Sequence, residues 1–423
     1  MLLQFSVENY MSFKEKAVLS LEPSKDSEHP ENICDNAGSK AVNVIATYGA
    51  NASGKTNLFK AITVALNAIR ASNTRQVNEQ LGIVPFKFSS ETINKPSKFE
   101  FLFIAADHKK YLYGFTADNR IIHEEYLYRF SSSRATKVFE RRSNGSYLFT
   151  AREKNALQPL TQWNTPNKFF IATATMWNAQ STKVPLEWLS GGIDTYTDLS
   201  VLTQDAMEKY QGNESQEYIN FTEKVMSEAD INISKIDVQL KKGPINPNVI
   251  PLIPGLFIKG KLIQPQEQTL INVKTFHDVT DKNRENKTQY SLQLCEESVG
   301  TQLLFTFAPI LKKVLNDGKT IMIDEIDKSL HPAVVKYIVN MFRDKKINKS
   351  GAQLIITTHS TSLLSLTTFR RDQIYLVDKD RYTAESKIYA LNEYPVRKGE
   401  NIEKGYLLGR YGAVPNIQSG DIL

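Results

Sequence analysis

The chain opens with short segments in which apolar and polar residues alternate. The alternation from Leu3 to Phe13 predicts a strand and Ala17–Leu21 predicts a second one, so we expect a β-hairpin at the start. Ala41–Thr47 is a compact apolar run of the kind that forms a buried strand. Further strand-like segments, which together predict an antiparallel meander, span residues 98–105, 110–117 and 123–130.

Helices are predicted where apolar residues recur at intervals of three and four. Residues 55–72, 215–229 and 298–316 have this spacing, and residues 332–342 predict a shorter helix with a proline in its first turn. Apolar runs before and after that shorter helix predict buried strands at 319–324 and 353–357. Strands that alternate with helices in this way are typical of an α/β protein with a largely parallel sheet.

The predicted fold class is therefore α/β, with a largely parallel core sheet, an antiparallel β subdomain and an inserted helical subdomain. Residues 1–130 and 290–423 carry the regular patterns, and we assign them to the two halves of one domain. Residues 131–289 alternate helical pieces with loops rich in Asn and Pro, so we interpret them as an inserted, mostly helical subdomain.

Composition narrows the class of protein. The 423 residues are 41% hydrophobic and 23% charged, which is typical of a folded chain. No apolar run reaches the roughly 20 residues of a membrane-spanning helix, and no secretory signal is visible, so we expect a cytoplasmic protein without membrane contact. Cys34 and Cys295 are the only cysteines, which excludes a disulfide framework. A net charge of +6 is compatible with DNA or RNA contact.

A phosphate-binding loop is the most specific motif. Gly49–Thr56 fits G-x-x-x-x-G-K-[ST] between a predicted buried strand and an amphipathic helix, the context that phosphate binding requires. Glycines let successive N–H groups point at phosphate oxygens, Lys55 reaches the β/γ phosphates and Thr56 holds Mg²⁺. The predicted nucleotide-binding residues here are Gly49, Asn51, Ala52, Ser53, Gly54, Lys55, Thr56 and Asn57.

A second group of candidates follows the later strands. Asp324 and Glu325 end an apolar strand, where Asp324 would hold Mg²⁺ and Glu325 would act as general base for a water. Asp327 follows them closely and is a further nucleotide-binding candidate. His359 follows the strand at 353–357, at the sheet edge where ligands of open α/β sheets bind, which favours contact with a γ-phosphate or water.

With these motifs the sequence resembles the ABC-type ATPases, in the branch of the SMC and RecF proteins, the overcoming-lysogenization-defect nucleases and the abortive-infection ATPases. The resemblance spans residues 1–117 and 290–415 and is closer to RloA-like and AbiL-type ATPases. Its marks are the opening Phe5–Phe13, the segment from Asp324 to Pro332, Thr358–Ser360 and the closing Gly409–Pro415. It implies an ABC-type head that binds ATP and Mg²⁺.

The family also has a signature sequence before the helix that leads to the Asp-Glu strand. Here that position reads Glu297–Gln302, in which Ser298, Gly300 and Gln302 match the usual Leu-Ser-Gly-Gly-Gln and Val299 and Thr301 depart from it. The resemblance implies that this segment contacts ATP bound to the other subunit of a head-to-tail homodimer. A serine at a helix start can also offer its hydroxyl to an anion. The segment Leu189–Ile193 matches Leu-Ser-Gly-Gly-Gln more closely, but it lies far before the Asp-Glu strand and does not run into a helix. We therefore interpret it as a loop.

The resemblance implies a function in which hydrolysis gates the dimer. The first hypothesis is a sensor or controller of a bacterial antiphage system whose effector, a nuclease or toxin, is separately encoded. The alternative is a RecF/SMC-like ATPase that binds DNA directly in repair or chromosome maintenance. A third and weaker hypothesis is the motor subunit of a membrane transporter.

Three features remain open at this stage. The family places a glutamine in the site, and Gln76 and Gln80 are the candidates for it in this sequence. A basic segment at 129–154, around an Asn144-Gly145 turn, suits a solvated hairpin or one that touches nucleic acid. Tryptophans 163, 177 and 188 suit core packing or an interface as readily as base stacking.

Overall fold

The computed structural model describes residues 1–131, 134–197, 199–243, 268–280 and 287–415. Its strands are β1 (Leu2–Glu8), β2 (Ala17–Ser20), β3 (Ile33–Asn36), β4 (Ser39–Val42), β5 (Val44–Tyr48), β6 (Ser97–Ile104), β7 (Lys110–Ala117), β8 (Ile122–Phe130), β9 (Ala135–Arg141), β10 (Tyr147–Phe149), β11 (Ile193–Tyr196), β12 (Lys235–Gly243), β13 (Gln268–Thr280), β14 (Lys287–Gln293), β15 (Thr320–Ile323), β16 (Gln353–Thr357), β17 (Ile374–Lys379) and β18 (Ser386–Ala390). Its helices are α1 (Lys55–Arg70), α2 (Ala151–Leu157), α3 (Phe170–Met176), α4 (Gln180–Gly191), α5 (Leu199–Gln211), α6 (Ser215–Glu228), α7 (Val299–Asp317), α8 (Pro332–Arg343) and α9 (Ile402–Leu407).

Contacts divide the chain into two compact units. Unit 1 comprises Met1–Thr197, Gly318–Ile326 and Val339–Leu423, and unit 2 comprises Asp198–Asp317 and Asp327–Ile338. None of the helices in the described part of the chain is long and apolar enough to cross a membrane.

A seven-stranded antiparallel sheet in unit 1 has the order β10-β9-β8-β7-β6-β1-β2. Alternate residues of β6, such as Phe99, Phe101 and Phe103, are fully buried, because side chains of a strand point to opposite faces in turn. The predicted opening hairpin and antiparallel meander are confirmed by the β1–β2, β6–β7 and β7–β8 pairings. β1 ends at Glu8, before the predicted end of the strand, because Asn9 and Met11 turn the backbone with φ of 53° and 49°.

The core sheet of unit 1 has six strands in the order β11-β15-β16-β5-β17-β18. Every neighbouring pair is parallel except β17 and β18. All residues of β5, β15 and β16 are buried, as is usual for parallel strands that are covered on both faces. The predicted α/β class, with a largely parallel core sheet and an antiparallel β subdomain, is confirmed.

Helix α1 lies where its apolar spacing predicts it. Its buried positions include Leu58, Phe59, Ile62, Leu66 and Ile69, which recur on one side of the helix. The helix ends at Arg70, two residues before the predicted end.

Unit 2 contains the helices α5, α6 and α7 and the three-stranded antiparallel sheet β12-β13-β14. The ring of Tyr210 on α5 stacks on Phe305 of α7 with 4.5 Å between ring centroids. Its buried hydroxyl donates to the Phe305 carbonyl at 2.8 Å, so helices distant in sequence are joined by both apolar and polar contacts.

The contact units differ from the predicted boundaries of the insertion at 131–289. Residues 134–197 group with unit 1, because β9 pairs with β8 and so extends the antiparallel sheet. The predicted hairpin around Asn144-Gly145 is the β9–β10 pair. The rest of the insertion mixes helices with the β12-β13-β14 sheet, in which strands consecutive along the chain pair antiparallel. Residues 244–267 and 281–286 of the predicted insertion lie outside the described residues.

Candidate functional site

The three motif segments of unit 1 follow neighbouring parallel strands. Gly49 comes directly after β5, Asp324 directly after β15, and His359 two residues after β16. The strand order places β16 between β15 and β5. Because the carboxyl ends of parallel strands lie at one edge of a sheet, the fold brings the glycine-rich loop, the carboxylate pair and the histidine to the same edge.

The glycine-rich loop folds around the amine of its own lysine. Lys55 is buried, and its Nζ donates to the carbonyls of Gly49 and Ala50 at 2.8 and 3.0 Å. Ala52 and Gly54 have φ of 61° and 115°, so the backbone turns sharply before α1 begins at Lys55. The loop therefore places a lysine amine and the positive end of the α1 dipole together.

Two serines from distant segments support this loop. Ser386 on β18 donates its hydroxyl to the Ser53 carbonyl at 2.6 Å, and the Asn57 side chain donates to Ser12 Oγ at 2.8 Å. A Cβ atom at position 54 would lie 2.8 Å from Ser12 Oγ and would also strike Ser386 Oγ. Gly54 is therefore required by close packing as well as by its backbone angle, and Asn57 acts here as a support of the loop.

The loop's residues fit a bound phosphate. Ser53 is 3% exposed, and its buried Oγ has no hydrogen-bond partner among the described residues. A buried polar atom without a partner is uncommon unless a ligand or water completes it. A Cβ at Gly49 would strike the Val377 carbonyl, so close packing against β17 requires glycine at the start of the loop. Thr56 follows the lysine in the first turn of α1, where its hydroxyl is half-buried and suited to hold Mg²⁺.

The carboxylate pair is positioned by a threonine on the next strand. Thr357 is fully buried; its Oγ1 donates to Asp324 Oδ1 at 2.5 Å and accepts from the Glu325 N–H at 2.7 Å. Glu325 is exposed and has φ of 50°, an uncommon backbone angle for this residue type. The Thr357 contact orients both residues, whereas the sequence pattern identified only the two acidic ones.

The histidine lies in a loop that is tied to the C-terminal helix. His359 is exposed, and after it the Thr361 hydroxyl donates to Glu403 Oε1 on α9 at 2.7 Å. Near the start of the same loop, the Ser360 N–H donates to Thr358 Oγ1 at 3.0 Å. These bonds fix the backbone on both sides of the imidazole at the sheet edge.

The predicted signature segment lies in unit 2, at the start of α7. Ser298 Oγ accepts from the Thr301 N–H at 3.1 Å, which is the geometry of a helix N-cap. A Cβ at Gly300 would lie 2.8 Å from the Ser329 carbonyl, so this position has a packing reason to be glycine. Gln302 donates its amide to the Glu297 carbonyl at 2.8 Å.

The segment is also anchored from its N-terminal side. Glu297 Oε1 accepts from the Thr275 hydroxyl at 2.5 Å and pairs with His277 Nε2 at 2.7 Å, both on β13. The signature segment is thus held by the three-stranded sheet of unit 2. Nothing in the sequence pattern indicated Thr275 or His277.

The remaining candidates lie elsewhere. Asp327 groups with unit 2, whereas Asp324 and Glu325 group with unit 1. Gln76 and Gln80 are both exposed; the Gln76 carbonyl accepts from the Asn167 side chain at 2.7 Å, so it has a role in holding a loop. The prediction of a loop at Leu189–Ile193 is wrong, because α4 continues to Gly191 and Ile193 begins β11, which pairs with β15.

The chain matches one family model over residues 44–365, and that family is described as "AAA domain, putative AbiEii toxin, Type IV TA system". The match covers well over half of the chain. No curated protein matches the chain.

Solved structures of low sequence identity are also similar to the chain. The SmcHead bound to the C-winged helix domain of ScpA is 14% identical, with a TM-score of 0.41 over 92% of this chain and 97% of that one. The SMC head domain from Thermotoga maritima is 12% identical, with a TM-score of 0.40 over 92% and 98%. The recombination mediator protein RecF with ATP is 16% identical, with a TM-score of 0.36 over 92% and 97%.

Proposed function

The chain belongs to this AAA family, and we propose that it hydrolyses ATP as a homodimer and thereby controls a separately encoded effector of a bacterial antiphage system. The observation that carries the ATPase part is the sheet edge at which the glycine-rich loop, the Asp324-Glu325 pair and His359 follow neighbouring parallel strands. Family membership supports nucleotide binding independently of that geometry.

The proposed roles follow from the chemistry of each side chain. Lys55 and the N–H groups of the loop bind the phosphates of ATP. Thr56 and Asp324 would hold Mg²⁺, which neutralises charge on the phosphate oxygens when bound. Glu325 accepts a proton from the attacking water, and His359 contacts the γ-phosphate. The Thr357 bond to Asp324 keeps that carboxylate in one orientation.

The proposed homodimer depends on the signature segment. Ser298 is exposed at the N-terminus of α7, where a hydroxyl and the N–H groups of a first helical turn suit an anion. We infer that Ser298, Gly300 and Gln302 complete the ATP site of the partner subunit. Closure and opening of the dimer would then follow the presence of the γ-phosphate.

The family description names a putative toxin and a toxin–antitoxin system, and this supports the context in which we propose the controller role. A controller of this kind passes the nucleotide-dependent state of its dimer to another protein. The effector chemistry, a nuclease or toxin, would therefore reside in the partner.

One experiment tests the whole proposal. The Glu325→Gln protein is co-expressed with the products of the neighbouring genes and purified with ATP, and the mass and composition of the complex are measured. We expect a stable homodimer that retains a neighbouring protein. The Lys55→Ala protein, which lacks the phosphate-binding amine, is the matched control and should lose the complex. A homodimer that retains duplex DNA in place of a protein partner would contradict the controller role and favour a repair clamp.

A further inference from the structure

Two tryptophans stack on each other at the surface of unit 1. The rings of Trp163 and Trp177 lie 5.6 Å apart at an interplanar angle of 28°, and the residues are 55% and 53% exposed. Trp188 is different, because it is 8% exposed and stacks on Phe103 in the core at 4.0 Å. Core packing thus explains one tryptophan and leaves two large aromatic rings in contact with water.

The exposed pair is held in place by a partly buried polar link. Asn164, next to Trp163, donates its amide to the Tyr147 hydroxyl at 2.9 Å and accepts from the Thr173 hydroxyl at 2.6 Å. The backbone N–H of Trp177 donates to the Thr173 carbonyl at 3.3 Å. The same asparagine therefore ties together the two segments that carry the rings.

Buried arginines fix the loop between the two segments. Arg141 is 7% exposed and donates to the carbonyls of Pro166 and Lys168 at 3.2 and 3.0 Å. Arg75 donates to the Asn167 carbonyl at 3.3 Å. Part of the basic segment noted in the sequence thus has a structural role, and rigid support of this kind lowers the entropy lost on binding.

The stretch of sequence that carries both rings is positive and polar. No acidic residue occurs between Glu153 and Glu187, whereas that stretch contains Lys154, Lys168 and Lys183. Exposed amide side chains that can bond to base edges are Gln162, Asn178 and Gln180. Met176, 67% exposed, adds an apolar contact beside Trp177.

We propose that the Trp163–Trp177 pair is a stacking platform for the unpaired bases of a single-stranded nucleic acid. Every base has a planar π face that can stack on indole, and the lysines of the same stretch of sequence can neutralise phosphates. A duplex keeps its bases stacked inside the helix, so the platform favours single strands. The site uses residues of unit 1 alone and does not depend on ATP hydrolysis.

The test is a fluorescence titration with an oligothymidylate single strand. The Trp188→Phe protein is the reference, because its two remaining tryptophans are the proposed platform. We expect saturable quenching, since a base stacked on indole quenches its emission. Absence of quenching at low salt would overturn the proposal.

A matched pair of variants then separates stacking from general charge attraction. The Trp163→Ala/Trp177→Ala protein should bind a fluorescein-labelled oligothymidylate at least about tenfold more weakly, as expected when stacked bases lose their aromatic partners. The Trp188→Phe protein should bind it with unchanged affinity. Nucleotide binding measured on the same samples reports that the variants are folded. Equal affinity of the double variant and the reference, or equal affinity for duplex and single strand, would overturn the proposal and leave the pair as a protein-binding surface.

Discussion

Thr357 Oγ1 donates a hydrogen bond to Asp324 Oδ1 at 2.5 Å and accepts one from the N–H of the next residue, Glu325, at 2.7 Å. A single buried hydroxyl on β16 thus fixes both members of the acidic pair that follows β15. A donor to a carboxylate that holds a metal orients that carboxylate and commonly affects metal affinity as much as a ligand does.

Replacing Thr357 by valine should weaken catalysis without removing nucleotide binding. Valine has nearly the same shape but no hydroxyl, so Asp324 loses its donor and the Glu325 N–H loses its acceptor. We expect kcat to fall about 10- to 100-fold and the Mg²⁺ concentration for half-maximal rate to rise. Steady-state ATPase assays over a Mg²⁺ series measure both values.

The Thr357→Ser protein is the control for that experiment, since it keeps the hydroxyl and loses only a methyl group. It should retain most of the activity. If valine and serine variants were equally impaired, the methyl packing and not the hydrogen bond would be responsible.

Replacing Glu325 by glutamine should stop turnover and leave ATP bound. An amide keeps the shape of the side chain but cannot accept a proton from water. The loss expected for removal of a general base is about 10²- to 10⁴-fold in kcat, with little change in the Kd for ATP. Single-turnover kinetics and equilibrium binding measure these separately. Turnover at the normal rate would mean that another group activates the water.

Alanine at Gly54 should abolish nucleotide binding. The new Cβ would meet Ser12 Oγ at 2.8 Å and strike Ser386 Oγ, at a position whose φ of 115° already disfavours a side chain. Gly191→Ala is the matched control, because the space around that position is open and its φ is ordinary. Fluorescent-nucleotide binding compares the two, and equal affinity would show that the loop can shift to accept the methyl.

Two substitutions at Ser298 separate the helix cap from the proposed dimer contact. Ser298→Ala removes the bond to the Thr301 N–H and should lower the free energy of unfolding by about 1 kcal/mol. Ser298→Arg should in addition block ATP-dependent dimerisation while each subunit still binds nucleotide. Light scattering of the Glu325→Gln protein with each change reports the mass, and a normal dimer in the arginine variant would exclude Ser298 from the interface.

The buried carboxyl of Glu125 should make the stability of the protein depend on pH. It accepts from the N–H groups of Phe170 and Ile171 at 2.6 and 3.0 Å, yet complete burial raises its pKa above the ordinary 4.5. The folded state then holds a proton more tightly than the unfolded state. The contribution of Glu125 to stability is therefore fullest below pH 4.5 and is lost as the pH rises through its folded pKa.

The pH dependence is measured against Glu125→Gln, which cannot titrate at this position. The Tm of the native protein relative to the variant should fall as the pH is raised from about 4 to 8. A constant difference would mean that the hydrogen bonds offset the effect of burial on the pKa.

The glycine-rich loop, the Asp-Glu pair and the histidine could be predicted because each is a local pattern beside a buried strand. The side chains that orient them could not. Thr357 is 33 residues from Asp324 and Ser386 is 333 residues from Ser53 along the chain, so their contacts exist only after the sheet has formed. Threonine and serine are common residues, so nothing in the sequence next to Thr357 or Ser386 indicates these contacts.

Pairing between distant segments also determines the structure at Leu189–Ile193, where the local pattern predicted a loop. Ile193–Tyr196 has only four residues, but it adds to the edge of the core sheet beside β15. The exposed Trp163–Trp177 stack likewise depends on the hydrogen bond between Thr173 and Asn164, which the spacing of apolar residues does not predict.

The order of the core strands has a consequence for how the protein is made. In the part of the chain that the structure describes, β5 leads into the glycine-rich loop and pairs with β16 and β17, more than 300 residues later in the sequence. At typical translation rates of 5–20 residues per second, this strand waits on the ribosome for roughly 15–60 s without its partners. During that interval an apolar strand edge is open to other chains, and contacts of such long range form slowly. Synthesis of this protein should therefore depend on chaperones that shield the nascent amino-terminal half.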